Sequence, residues 1–405
     1  MRYTLWLLTI VNLLNYLDRY IIASAAPKIQ EEFDLSNAET GLIMSAFMIG
    51  FMFTSPFFGW LADRKARPAL MGAGVLGWSA ATALTGWVSS FIPLFLSRVG
   101  VGIGEGSYAT IAPAYIRDQL QNKEKLNKAM ALFYLAIPIG AAAGYMWGGY
   151  ISEHFHWRWA FYLGALPGLF FGVAVWLLKD VPRTDTHAAR GESSFMASMK
   201  DLWTNREYRL TVIGYTAHTF GLGGFAAWAP HYCANTLGVS LSEASFKIGA
   251  ITCIAGVVGT VIGGKWGDRF VDHTKADGAA TARGLNTFCA AASLFAMPFA
   301  FWVLFAGSMN TFMIAMLFVQ VGMFAALAPI NTATLSAVPA KVASTAFAIQ
   351  IFVIHALGDV ISPPLVGWLG DRIPMNHAMT VLSVAIGVSA IVWWFNGRKN
   401  KSASI

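Results

Sequence analysis

Runs of about 20 apolar residues recur along the whole of this chain, and each is long enough to cross the hydrocarbon core of a membrane as a helix. Charged residues or turn clusters separate the runs. Only 12% of the 405 residues are charged, whereas soluble proteins carry about 25%. The sequence therefore predicts an all-α membrane protein with twelve transmembrane helices, at 4–27, 38–62, 69–90, 91–117, 127–152, 157–179, 208–236, 244–268, 282–304, 310–334, 343–369 and 376–396.

The longest polar segment divides these runs into two sets of six. This segment, 180–207, predicts a cytoplasmic linker between an N-terminal bundle at 1–179 and a C-terminal bundle with a short tail at 208–405. The two sets share a loop pattern, because GWLADRKARP follows the second run at 59–68 and GGKWGDRF follows the eighth at 263–270. A loop repeated at equivalent positions indicates two pseudo-symmetric six-helix bundles around a central site near the membrane midplane.

Lysine and arginine are distributed unequally between the loops. With the N-terminus placed in the cytoplasm, 22 of the 28 fall on the cytoplasmic side, and four fall outside, namely Lys28, Arg158, Lys247 and Arg372. Cytoplasmic loops of membrane proteins carry an excess of these residues. Both termini are therefore predicted to be cytoplasmic. The net charge of +7 is explained in this way without a nucleic acid partner.

The loop GWLADRKARP is similar to the signature that follows the second helix in transporters of the major facilitator superfamily. The resemblance implies that Asp63 accepts hydrogen bonds from the neighbouring bundle and latches one conformation, while Gly59 lets the helices approach closely. The alternative is a loop charge that only contributes to the unequal charge distribution. With the shorter second copy included, the predicted conformational latch comprises Gly59, Asp63, Arg64, Arg67, Asp268 and Arg269.

Four longer stretches resemble the Spinster branch of lipid transporters within that superfamily. They are LNYLDRY at 14–20, SRVGVGIGEGSYATIAPAYIRD at 97–118, FYLAIPIGAAAGYMWGG at 133–149 and HALGDVISPPLVGWLGDR at 355–372. Both halves contribute, so the resemblance covers nearly the whole chain. It implies the major facilitator fold and a secondary transporter that moves an amphiphilic lipid, such as a lysophospholipid or a sphingoid phosphate, by alternating access.

Five charged residues lie at membrane depth, away from the ends of the apolar runs: Asp18, Arg19, Arg98, Glu105 and Asp359. A charge at the centre of a bilayer costs about 2.5 to 3.5 kcal/mol, so such residues usually face a cavity and have a function. Arg98 and Glu105 are seven residues apart and share one helix face. The superfamily resemblance places helices one and four beside the cavity. Burial favours a neutral carboxyl group and a nearby arginine favours the ionised form. Glu105, Asp18 and Arg98 are therefore predicted to couple transport to protons, and a static ion-pair network is the alternative.

The predicted substrate site combines one arginine with a nearly uncharged, aromatic second half. Arg19 can hold a phosphate or carboxylate head group through its planar guanidinium group. This asymmetry suits an amphiphile, although the aromatic residues could equally face lipid or pack between helices. His355 and Asp359, four residues apart, could likewise form only a hydrogen bond between helices. The predicted substrate-binding residues are Arg19, Asn15, His218, Phe220, Trp228, Asn331, His355 and Asp359.

Patterns typical of enzymes and metal sites are missing from the sequence. It contains no HExxH motif, nucleophile elbow or Walker loop, so the chain is not predicted to be an enzyme. Cys233, Cys253 and Cys289 are too scattered for a disulfide framework or a zinc site. No cofactor or metal is expected.

Two further patterns indicate helix geometry. The glycines of GVGIGEG at 100–106 follow no predicted strand, and their four-residue pairs predict close helix packing instead of nucleotide binding. The two prolines at 363–364 predict a bend in the eleventh helix.

The expected partners are a small-molecule or lipid substrate, protons and membrane lipids. The expected setting is a multi-pass monomer in the plasma membrane, which in a bacterium is the inner membrane. The alternative function is a proton-coupled symporter of small organic anions such as sugar acids, with Arg19 as the anion clamp. A large cavity open sideways to lipid favours the amphiphile, and a small closed cavity with several polar contacts favours the organic acid.

Overall fold

The computed structural model describes residues 2–62, 64–120, 123–181, 195–271, 277–339 and 342–398. Within these ranges the regular secondary structure is helical, which confirms the all-α prediction. The helices are α1 (Arg2–Phe33), α2 (Asn37–Ala62), α3 (Arg67–Trp87), α4 (Phe91–Gln119), α5 (Lys123–His154), α6 (Trp157–Trp176), α7 (Phe195–Thr204), α8 (Arg206–Thr236), α9 (Leu241–Gly267) with a 3-10 turn (Asp268–Phe270), α10 (Gly278–Leu304), α11 (Met309–Ser336), α12 (Ala343–Ile354) with a π-helical turn (His355–Asp359), α13 (Ser362–Gly370), α14 (Met375–Ala378) and α15 (Thr380–Gly397).

The long helices differ in apolar character. Among the described residues, nine helical stretches are long and apolar enough to cross a membrane. Helices α1, α4 and α8 contain 32, 29 and 31 residues but are more polar. These three helices hold most of the residues predicted for proton coupling and substrate binding.

Most predicted helix limits agree with the structure to within about one helical turn. Helix α1 is longer than predicted and continues to Phe33, where Lys28 and Glu31 form an ion pair of 3.1 Å one turn apart. The predicted linker contains a helix that the polar pattern did not indicate, α7.

The chain packs into two compact units. Unit 1 comprises Met1–Thr186, Ala226–Cys253 and Pro363–Met375, and unit 2 comprises His187–Phe225, Ile254–Ser362 and Asn376–Ile405. The units are defined by contacts between residues, and their boundaries fall inside several helices. The division into two bundles at 1–179 and 208–405 therefore stays a prediction from the sequence repeat. In unit 1, we call the end where α1 ends and α2 begins the distal end, and the opposite end the proximal end.

The glycines of α4 bring three helices of unit 1 into backbone contact. A Cβ atom at Gly102 would lie 1.7 Å from the carbonyl oxygen of Phe47 in α2. A Cβ atom at Gly104 would lie 2.6 Å from the carbonyl oxygen of Gly74 in α3. Because any larger residue would push these helices apart, the predicted packing role of the glycines is confirmed. This close packing fixes where the polar side chains of α4 lie relative to α2 and α3.

The predicted bend near the two prolines is an interruption of the helix between α12 and α13. The α-helix α12 changes to a π-helical turn at His355–Asp359, and α13 starts anew at Ser362. Pro363 and Pro364 occupy the first turn of α13, where a proline costs no hydrogen bond. Single π-helical turns are rare and are frequent at functional sites.

Candidate functional site

An ion pair between α1 and α4 lies at the centre of the site in unit 1. The Nε atom of Arg19 donates to Oε2 of Glu105 at 2.6 Å. The Glu105 side chain is fully buried, and 11% of the Arg19 side chain is exposed. Sequence spacing places Arg98 on the same helix face as Glu105, but the structure pairs Glu105 with Arg19 from the neighbouring helix.

Aromatic rings surround the guanidinium group of Arg19. Its Cζ atom lies 4.8 Å from the ring centre of Tyr16, 5.4 Å from that of Phe47 and 4.8 Å from that of Phe51. Cation–π contacts of this kind attract a desolvated cation. The rings hold the guanidinium plane in place, while Glu105 is hydrogen-bonded to only one of its nitrogens. The remaining N–H groups are of the type that binds phosphate or carboxylate.

Asp18 has a different partner from that of Glu105. Its Oδ2 atom accepts a hydrogen bond of 2.8 Å from Thr82 in α3, and the residue is 3% exposed. A Cβ atom at Gly164 of α6 would lie 3.6 Å from Oδ1. Asp18 is thus held by a neutral hydroxyl group. Thr82 was not predicted, because a threonine in an apolar run carries no distinct sequence signal.

Arg98 is fully buried beside these two acids. Its charge acts on both Asp18 and Glu105. Among the described residues, none lies within hydrogen-bonding distance of its three side-chain nitrogens. Asn15 is also fully buried and is placed next to Glu105. The site therefore joins two arginines and two acids with incomplete hydrogen bonding, and such a group can change its proton content or its partners.

The latch residues that the structure describes lie at the proximal end of unit 1 and in the 3-10 turn after α9. Asp63 lies outside the described residues. Gly59 faces α4, because a Cβ atom at this position would lie 3.4 Å from the side chain of Thr110. Arg64 donates to the carbonyl oxygen of Trp60 at 2.9 Å and lies over its ring.

Arg67 is buried at the start of α3. It donates to Asp118 at 2.6 Å and to the carbonyl oxygen of Val181 at 2.8 Å. These bonds tie the start of α3 to the end of α4 and to the segment after α6. In the shorter copy, Asp268 and Arg269 form the 3-10 turn after α9, and Arg269 lies 5.7 Å from the ring centre of Trp266. The latch role of all six residues stays a prediction.

His355 and Asp359 form a pair within the π-helical turn of unit 2. The Nδ1 atom of His355 lies 3.0 Å from both carboxylate oxygens of Asp359. A Cβ atom at Gly223 would lie 2.4 Å from Cβ of Asp359. The glycine-rich stretch of α8 thus lets the turn press against that helix.

A chain of neutral polar groups links α11 to α12 in unit 2. Gln350 donates to the Oδ1 atom of Asn331 at 2.9 Å, and Thr334 donates to Gln350. Asn331 also donates to the carbonyl oxygen of Leu327 at 3.0 Å. Asn331 was predicted as a binding residue, but Gln350 was not, because a glutamine within an apolar run is not distinctive.

The three remaining predicted binding residues lie in different surroundings. His218 is fully buried in unit 2, and its ring centre lies 5.4 Å from that of Trp393. Phe220 lines an apolar groove of unit 2, of about 440 Å³, together with residues from α7, α8, α12, the π-helical turn and α15. Trp228 is fully buried in unit 1 and donates to the carbonyl oxygen of Pro363 at 3.0 Å. Within the described residues, no cluster of His, Cys, Asp and Glu could hold a metal ion.

Comparison with known proteins identifies relatives of the whole chain. It is 30% identical over 438 aligned residues to the probable sphingolipid transporter spinster homolog 1 of Arabidopsis thaliana, which covers 96% of this chain and 86% of that protein. It is 30% identical over 394 residues to the sphingosine-1-phosphate transporter SPNS2 of Danio rerio, with 92% and 76% covered. It is 33% identical over 406 residues to the human protein spinster homolog 1, with 92% and 74% covered.

The fold agrees with these sequence relationships. The crystal structure of a bacterial homolog of the human lysosomal transporter Spinster superimposes with a TM-score of 0.83 at 19% sequence identity, and 98% of this chain and 97% of that chain are covered. The sequence family described as Major Facilitator Superfamily matches residues 8–363. The chain therefore belongs to the major facilitator superfamily and, within it, to the Spinster-type multi-pass membrane transporters, a family that does not consist of enzymes.

Proposed function

We propose that the chain is a secondary active transporter that works by alternating access, couples to protons and moves an amphiphilic lipid with an anionic head group. Lysophospholipids and sphingoid phosphates are the candidate substrates. The observation that carries the proposal is the buried pair of Arg19 and Glu105 beside Asp18 and Arg98. Four charged side chains at membrane depth are costly, and such residues typically mark substrate or proton pathways.

Competition between Glu105 and the substrate for Arg19 would couple substrate binding to proton binding. Arg19 holds Glu105 through one nitrogen, and the same guanidinium group suits a phosphate. A substrate phosphate that takes over Arg19 leaves Glu105 without its donor. A buried carboxylate without a donor takes up a proton more readily. Substrate and proton binding would then bias the same conformational equilibrium.

The lipid substrate is supported by two kinds of observation. The names of the plant and fish relatives state sphingolipid and sphingosine-1-phosphate transport. Unit 2 offers an apolar groove and mainly neutral side chains, in contrast to the charged group of unit 1. An amphiphile needs both kinds of surface. His355, Asp359, Asn331, His218, Phe220 and Trp228 are the proposed residues for the less polar part of the site, and Asn15 joins Arg19 at the head group.

We propose twelve membrane spans with both termini in the cytoplasm of a monomer in the plasma membrane. The distribution of lysine and arginine supports this orientation. The alternative substrate is a small organic anion such as a sugar acid, which the same Arg19 could hold.

Ligand-dependent melting of the purified full chain tests the substrate class. A ligand that binds only the folded state raises the midpoint by an amount that grows with its concentration over Kd. We expect a rise with sphingosine 1-phosphate and with a lysophospholipid, and none with glucuronate. Sphingosine, which lacks the phosphate, is the matched control and should raise the midpoint less. A rise with glucuronate alone would favour the organic anion.

A further inference from the structure

A third copy of the loop pattern closes helix α13 at the distal end of unit 1. GWLGDR at 367–372 repeats GWLADR at 59–64, which closes α2. The two turns share two backbone hydrogen bonds. The carbonyl oxygen of Leu61 accepts from the amides of Arg64 and Lys65 at 3.0 and 2.9 Å. The carbonyl oxygen of Leu369 accepts from the amides of Arg372 and Ile373, both at 2.9 Å.

The arginine side chains of the two turns also make equivalent contacts. Arg64 donates to the carbonyl oxygen of Trp60 at 2.9 Å, with its Cζ atom 4.3 Å from the ring centre. Arg372 donates to the carbonyl oxygen of Trp368 at 2.7 Å, with its Cζ atom 4.0 Å from the ring centre. Each arginine satisfies a terminal carbonyl group of its own helix. The aspartate before the arginine therefore does not serve as its partner in the distal copy.

Asp371 instead binds the start of another helix. Its Oδ1 atom accepts from the amide of Asn37 at 2.8 Å, and its Oδ2 atom accepts from the amide of Ala38 at 3.1 Å. A carboxylate at this position satisfies the free amides of α2 and matches its dipole. Close backbone packing supports the contact, because a Cβ atom at Gly367 would lie 2.1 Å from the carbonyl oxygen of Asn37.

A second carboxylate makes the equivalent contact at the same end of unit 1. Glu153, at the end of α5, accepts a hydrogen bond from the amide of Ser242 at the start of α9. A Cβ atom at Gly149 would lie 2.3 Å from the Ser245 side chain, so these helices are also closely packed. In the predicted order of spans, the eleventh binds the second and the fifth binds the eighth. These pairs are related by the six-span repeat.

We propose that Asp371 and Glu153 form a distal latch that holds the outer face of the transporter closed, and that GWLGDR is the distal counterpart of GWLADR. The inference rests on the proposed function, since a latch matters only in a chain that alternates between two states. A contact made in one state alone shifts the equilibrium toward that state. Asp371 and Asp63 therefore act in opposite directions, each favouring closure of its own end.

Hydrogen–deuterium exchange of the full chain in lipid nanodiscs tests the distal latch without knowledge of the substrate. The variants are Asp371→Ala, Glu153→Ala and Asp63→Ala, and Asp34→Asn is the control. Asp34 is an exposed aspartate at the same end with φ of 51°, a conformation that asparagine tolerates. We expect Asp371→Ala to speed exchange about 2- to 30-fold at both helix starts, 37–41 and 241–249. Glu153→Ala should do the same, and Asp63→Ala should slow exchange at both.

The Asp371 side chain accepts its hydrogen bonds from the helix start at 37–41, so exchange at the other helix start, 241–249, distinguishes a latch from a local cap. If Asp371→Ala speeds exchange only at 37–41, the aspartate is a local cap and the latch is wrong. If Asp63→Ala changes distal exchange while Asp371→Ala and Glu153→Ala do not, the chain alternates but the distal latch is wrong. If none of the three variants changes exchange, the latch is wrong and alternating access itself is called into question. An effect of Asp34→Asn equal to that of Asp371→Ala would also contradict the proposal.

Discussion

Buried polar groups in the two units are of different kinds. In unit 1, Asp18, Arg19, Arg98 and Glu105 bring four charged side chains together on α1 and α4. In unit 2, the chain of buried groups around Gln350 consists of neutral amides and hydroxyls joined by hydrogen bonds. A saturated neutral network has one favoured arrangement, whereas incompletely paired charges have several of similar energy. This difference supports the proposal that proton chemistry belongs to unit 1 and the less polar part of substrate binding to unit 2.

The largest expected effect comes from removing one charge of unit 1. Arg98→Gln leaves Arg19 as the one arginine beside Asp18 and Glu105, and an uncompensated buried charge costs about 3 to 5 kcal/mol. We expect a marked fall of Tm at pH 8 and a smaller fall at pH 5, because proton uptake by the acids would remove the negative charge that Arg98 offsets. Gln350→Met is the matched variant in unit 2 and should cost about 1 to 3 kcal/mol at both pH values. Equal, pH-independent losses in the two variants would remove the contrast between the units.

A substitution that changes the shape of the side chain but keeps its charge tests whether Arg19 binds the phosphate. Arg19→Lys keeps the cation but loses the planar fork that suits phosphate. We expect binding of sphingosine 1-phosphate to weaken about tenfold, which corresponds to about 1.4 kcal/mol. Titration followed by intrinsic tryptophan fluorescence measures this. Full affinity would make Arg19 a structural partner of Glu105 only.

The hydrogen-bonded pair of His355 and Asp359 in unit 2 should affect binding without affecting proton coupling. Asp359→Asn keeps the size of the side chain and a hydrogen-bond acceptor for His355 but removes the negative charge. We expect a change of a few fold in substrate affinity, because the net contribution of such a bond is about 1 kcal/mol. The ratio of uptake with and without a proton gradient should equal that of the wild type. Loss of the gradient response would place proton chemistry in unit 2 as well.

The smallest effects on binding are expected at the loops. Asp63→Asn should slow transport and leave equilibrium binding within a few fold, because the loop follows α2 and lies away from Arg19 and Glu105. Asp268→Asn, in the shorter copy, should slow transport less. Initial uptake rates in proteoliposomes compare the two variants. An unchanged rate in Asp63→Asn contradicts the latch.

Charge at membrane depth made the centre of the site predictable from sequence. Asp18, Arg19 and Glu105 stand out because ionised side chains are rare in apolar runs. Spacing alone did not give the pairing, since it relates Arg98 to Glu105 within one helix but contains nothing about Arg19 approaching from another. That contact depends on how α1 is placed beside α4, which spacing within one helix does not describe.

Neutral polar residues and helix irregularities were harder to predict. Thr82 and Gln350 resemble many other residues of apolar runs, and only tertiary contacts give them partners. Two prolines indicated a bend near the start of α13, but a π-helical turn has no sequence pattern of its own. Helix α7 lies in a segment whose high charge content predicts only a polar linker.

Proton-driven uptake by wild type and Glu105→Gln tests the central claim most directly. Glutamine has nearly the same size as glutamate and stays neutral, so the variant should fold and should retain exchange that needs no gradient. Uptake of sphingosine 1-phosphate into proteoliposomes is measured with and without an imposed proton gradient. We predict that the wild type responds to the gradient and that Glu105→Gln does not. An equal response in both proteins would contradict the account and leave Glu105 as a structural partner of Arg19.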